Sequence, residues 1–148
     1  MGFNLLLTSA AAYLLGLKGF EVNAVIIAST ALSTLPDIDI RLRITHRKYT
    51  HNIFFGLAAG VALGLATHWL GIGFLLGFAS AVVGVGTHLL ADLMTYRGFN
   101  PVAPLGGGVR SLKLFRSSNR AVNDAFLVAG AITYLLYVAT YGPLTLMK

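Results

Sequence analysis

The sequence predicts an all-α, polytopic integral membrane bundle of about five helices, with its N-terminus in the cytoplasm. Three observations predict it. The 148 residues are 56% hydrophobic and only 11% charged, with a mean hydropathy of +0.76, too apolar for an ordinary soluble domain and long enough for one domain over 1–148. The apolar residues fall into continuous runs near 3–17, 21–35, 52–70, 72–94 and 121–141 rather than alternating as barrel strands do. The charges lie in the loops between these runs, so the net charge of +6 reads as topology and gives no sign of a nucleic-acid partner. Cysteine is absent, which excludes disulfides and thiolate metal sites.

The first run lacks a cationic start and leads straight into a second apolar run, so it is expected to be a retained helix rather than a signal peptide. The first two runs reach only about 22 Å at helical rise, whereas the last three have the length that spans a bilayer core. Lys18-Gly19, Pro36, Gly71-Ile72-Gly73 and the long segment 95–120 break the runs. Arg41, Arg43, Arg47 and Lys48 occupy the loop 36–51; Arg97, Arg110, Lys113, Arg116 and Arg120 occupy 95–120; only Lys18 and Lys148 lie opposite. The positive-inside rule therefore puts both large loops on the cytoplasmic side of a multi-pass cell-membrane protein.

That same boundary collects the ionisable groups. Pro36 ends the second helix just before Asp37 and Asp39; His46 and His51 follow in the loop; His88 and Asp92 share one face at the cytoplasmic end of the fourth helix. His68 falls at the far end, as an interfacial residue. Imidazoles and carboxylates together are the donor set of a divalent transition metal, zinc above all, with manganese or iron as alternatives, and six donors suffice for one to three ions. Ionisable residues inside apolar helices point to function by their cost alone. Simpler roles exist for each: Asp37 and Asp39 as turn formers neutralised by Arg41 and Arg43, His46 as a solvated loop residue, His51 at a helix start capped by Thr50, and His88 with Asp92 as an interhelical pair.

The ordered set Pro36-Asp37-Ile38-Asp39, His46-Arg47-Lys48-Tyr49-Thr50-His51 and His88-Leu89-Leu90-Ala91-Asp92, followed by Thr95, Gly98 and Pro104, resembles the motifs of the YdjM-like membrane-bound metal-dependent hydrolases, from Leu35 to about Asp124. The resemblance implies that Asp37, Asp39, His46, His51, His88 and Asp92 are metal ligands or their immediate partners, with Asp37, Asp39, His51, His88 and Asp92 carrying catalysis. Family members often carry a Thr-His pair in the first helix where this chain reads Thr8-Ser9. A more distant similarity to zinc-dependent phospholipase C implies phosphoester chemistry on a lipid.

A metal so held activates water and polarises a phosphoryl oxygen. Arg47, Lys48, Arg97 and Arg116 are candidates to hold the substrate phosphate. The stretch Ser111–Arg116 reads as a short amphipathic piece, and with Phe99 it could form a lid at the membrane surface. Gly106–Gly108 lacks the context of a phosphate-binding loop. Asp124 reads as a helix-dipole partner. Gly56, Gly60 and Gly64, and Ser80, Gly84, His88 and Asp92, form small-residue stripes for close packing. The expected function is hydrolysis of a phospholipid or lipid-linked phosphoester, with membrane lipid as partner. The alternatives are a metal-ion transporter, which the bare mid-helix stretches disfavour, or a metal-binding or metal-sensing membrane protein, and a non-catalytic structural protein with a degenerate site.

Overall fold

The computed structural model describes residues 1–43, 47 and 49–142. The described chain is all-helical without strands: α1 (Gly2–Leu14), α2 (Phe20–Leu32), a 3-10 turn (Leu35–Asp37), the single turn α3 (Ile38–Arg41), α4 (Ile53–Trp69), α5 (Phe74–Met94) and α6 (Arg120–Tyr141). Of these, α5 and α6 are long and apolar enough to cross a membrane.

The other three main helices are shorter than expected, for local reasons. Helix α2 stops at Leu32 because Pro36 lacks the N–H that would bond the Leu32 carbonyl and its ring crowds that carbonyl. Helix α4 has 17 residues, about 26 Å. Asn52 caps its start, its side chain accepting from Phe55 N at 2.9 Å, and the turn into α5 needs the positive φ of Gly71 and Gly73, 73° and 109°. The expectation that Thr50 caps this helix is thereby corrected. The loop 36–51, expected to be irregular, contains the 3-10 turn and α3.

Helix α5 is the centre of the bundle, packing on α4, α2 and α1, while α6 packs on α1. Glycines make each approach close. Gly56, Gly60 and Gly64 are buried in α4, where they face Val85, Val82 with Phe78, and Phe74 of α5. Gly84 of α5 lies against the Ser29 carbonyl and Leu32 of α2, and Gly130 of α6 against the Gly2 carbonyl of α1. A Cβ at Gly84 would sit 2.7 Å from Ser29 O. Gly84→Leu is therefore expected to push α2 from α5, lowering stability by at least the roughly 1–3 kcal/mol of ordinary overpacking, and to displace the Leu35–Asp37 turn that continues α2. Thermal melting in detergent reads the loss, and an unchanged melting temperature in the variant would contradict this placement.

The start of α1, the turn after α2, the start of α4 and the end of α5 all meet at one end of the bundle. The chain after α5 folds back over that end: Leu112 N and Leu114 N donate to the carbonyls of Leu93 and Met94, and Tyr96 N to that of Phe115. Residues 111–115 are thus irregular rather than helical, with Lys113 at a φ of 53°, and their hydrogen bonds tie them to the helix end.

Candidate metal centre

Asp37 ends the 3-10 turn, His51 immediately precedes the α4 cap, and His88 and Asp92 sit one turn apart at the end of α5. These elements bring three donors together. His51 Nε2 and His88 Nε2 are 3.3 Å apart, and Asp37 Oδ1 lies 3.6 Å from the first and 3.7 Å from the second. Asp37, His51 and His88 form a group that could hold a metal ion. The near-equal triangle approximates one face of a zinc tetrahedron, whose bonds of about 2.0–2.1 Å put ligands about 3.3–3.4 Å apart.

Asp39 reaches the other side of the His51 ring. Fully buried, its Oδ2 accepts from Arg47 N at 3.0 Å and from Thr50 Oγ1 at 2.8 Å and lies 3.4 Å from His51 Nδ1. Thr50 Oγ1 is also 3.0 Å from Nδ1. With the hydroxyl proton directed to the carboxylate, the network assigns a proton to Nδ1 and leaves the Nε2 lone pair facing the group. A carboxylate behind a ligating imidazole is the usual means of orienting it.

Asp92 is divided between two neighbours. Oδ1 accepts from Arg47 Nη2 at 2.6 Å, an ion pair whose side chains are only 7% and 11% exposed. Oδ2 borders His51 Nε2 at 3.3 Å and His88 Nε2 at 3.6 Å, and it is buried without a hydrogen-bond partner among the described residues. A buried carboxylate oxygen in that condition is costly, and beside a bound cation it would be compensated. The donor set and this orphaned oxygen both fit a divalent metal.

Other predicted residues fall elsewhere. His46 and Lys48 lie outside the described residues. Arg47, expected to meet substrate phosphate, is engaged by Asp92, by Thr95 Oγ1 at 3.4 Å and by the Arg97 carbonyl. Arg97 and Arg116 are exposed at the site end. His68 is exposed at the last turn of α4, and Asp124 is exposed on α6. Ser9 is fully buried, its hydroxyl bonded to the Leu5 carbonyl of its own helix.

Asn4 is the residue that sequence reasoning missed. It is buried, donates to Thr87 Oγ1 at 2.5 Å, and accepts from Thr30 Oγ1 at 2.8 Å and Ser29 Oγ at 3.2 Å. The helices are accordingly less bare than expected, since Asn4, Ser9, Ser29, Ser80 and Thr87 are all buried. Met1 is also near: burial holds its α-amine below the ordinary pKa, with Asp37 pulling the other way.

Fold and site together define an all-helical bundle with a possible imidazole–carboxylate metal centre at one end. The chain belongs to the YdjM inner membrane protein family, which it matches over residues 2–147. No curated protein and no solved structure matches it.

Proposed function

We propose that this protein is a multi-pass membrane hydrolase in which Asp37, His51 and His88 hold one divalent transition metal, best met by zinc, at the cytoplasmic boundary, and that it cleaves a phospholipid or lipid-linked phosphoester. The triangle of donors with one corner open carries the proposal, because a catalytic zinc has three protein ligands and a free position. Each imidazole offers a single lone pair, at Nε2, so the pair of rings serves one ion. A multi-pass arrangement is supported by large apolar side chains exposed on α4 (Leu57, Val61, Leu65) and α6 (Leu127, Ile132, Leu136). Cytoplasmic placement is supported by Arg43, Arg97, Arg110, Lys113 and Arg116, all exposed in the loops of the site end.

Zinc in that position supplies a Lewis acid that polarises a phosphoryl oxygen and lowers the pKa of a coordinated water toward about 7. The chain's own residues do the rest. Asp39 and Thr50 fix the His51 ring. Arg47 holds Asp92 Oδ1, which leaves Oδ2 beside the two Nε2 atoms, where it would accept a proton from a water activated there. Arg97 and Arg116 are free of ion pairs among the described residues and are suited to the phosphate. Asp39 and Asp92 thus act beside the ligands, a narrower set than six donors. Transport is less well supported: the buried groups toward the bundle interior, Asn4, Ser29 and Thr87, and the half-buried Thr30 are uncharged and bonded to one another or to backbone.

Elemental analysis of detergent-purified protein is expected to find about one transition-metal ion per chain, and none in a folded His88→Ala variant. The loaded protein alone should turn over lipid phosphoesters. A wild type that takes up no zinc, manganese or iron would end the metal reading; a loaded protein inert toward every lipid ester would end the hydrolase reading.

A further inference from the structure

His51 has an orienting carboxylate behind it, but among the described residues the polar contacts of the His88 side chain run through Nε2. A ligating imidazole needs its second N–H held, or the ring turns and the tautomer is lost. Asn4, Ser33, Thr87, His88 and Ala91, together with Met1 and Phe3, line a pocket of about 40 Å³. A water needs roughly 10–15 Å³ and two to four polar partners.

Counting hydrogen bonds shows what such a water would meet. Asn4 commits one amide N–H to Thr87 and both carbonyl lone pairs to Ser29 and Thr30, so one N–H remains among the described contacts. The Thr87 hydroxyl accepts from Asn4 and donates to the carbonyls of Val83 and Gly84, which leaves it no proton to offer. Ser33 Oγ is buried and gives its proton to the Thr30 carbonyl at 2.7 Å, so it can still accept. We infer that the pocket binds an ordered water that accepts from Asn4 Nδ2 and His88 Nδ1 and donates to Ser33 Oγ, making Asn4 the positioning residue for His88 as Asp39 is for His51. Helix α1 thereby serves the site through Asn4, five residues before Ser9. The inference rests on the metal reading and adds to it the partner that orients the second imidazole.

Ala91→Val tests it by filling the pocket while leaving every Asn4 bond in place. Zinc affinity, from competition with a chromophoric chelator, is expected to fall about 10–100-fold, the range for an outer partner of a ligating histidine, a larger loss than the fall in melting temperature of the zinc-free protein, which loses only the water's bonds. In zinc-free protein, the side-chain ¹⁵N shifts of His88 should move away from the Nδ1–H form. Ser33→Ala, a smaller perturbation, should shift both readouts in the same direction and by less. Unchanged zinc affinity in folded Ala91→Val, or loss only in step with melting temperature, would overturn the inference while leaving the metal centre intact. A wild type that binds no zinc would overturn the metal reading, and identical His88 shifts in wild type and both variants would overturn the water on their own.

Discussion

His51→Ala is expected to reduce zinc affinity by well over the roughly 100-fold that marks the loss of an outer partner. The substitution removes one of three donors, and the two that remain, Asp37 Oδ1 and His88 Nε2, come from separate elements 3.7 Å apart. It also removes what Asp39 and Thr50 orient, so their buried network no longer serves a ligand. The remaining Asp39 contacts, to Arg47 N and Thr50 Oγ1, should keep the loop folded. Equilibrium dialysis against ⁶⁵Zn reads the loss, with His68→Ala, exposed at the opposite end of α4, as the control that should bind normally. Equal uptake by His51→Ala and wild type would remove this histidine from the site.

Arg47→Met is expected to show the largest change in stability. Removing one partner of a buried ion pair strands the other charge, at a cost of about 3–5 kcal/mol. Asp92 is badly placed to absorb that loss, because Oδ2 already lacks a hydrogen-bond partner among the described residues and Oδ1 would lose its 2.6 Å contact. Zinc-free protein should therefore melt at a clearly lower temperature. Adding zinc should raise the melting temperature of Arg47→Met more than that of wild type, since a cation beside Asp92 replaces the missing one. Arg47→Met combined with Asp92→Asn should recover part of the loss. If the double variant melts where additivity predicts, the two residues are uncoupled and the pair is incidental.

The two longest helices were legible because single residues define them. The run 72–94 became Phe74–Met94 and the run 121–141 became Arg120–Tyr141, bounded by Gly73 and Asn119. The meeting of Asp37, His51 and His88 was legible too, since Pro36 stops α2 at the boundary where α4 begins and α5 ends. The different positions of Asp37 and Asp39 follow from geometry that the sequence carries: residues two apart on a helical turn point about 200° from one another. Asp37 accordingly meets Nε2 of His51 and Asp39 meets Nδ1. The destination of Arg47 was not legible, because a cation in a loop next to candidate ligands looks the same whether it serves substrate or a carboxylate 45 positions away. Asn4 was hidden for a similar reason: one amide in an apolar helix carries no periodic signal, and its partner Thr87 is 83 positions distant. Helix lengths were misjudged where capping decided them, at Asn52 rather than Thr50.

The donors arrive from the end of a turn, the residue before a cap and the last turns of a helix, and no two of the three share a helix. A chain whose α4–α5 hairpin has formed but has not yet docked against α2 already owns both imidazoles and still lacks the carboxylate. A metal held by the proposed triad would therefore be captured last, acting as a latch that closes only once α2 has docked.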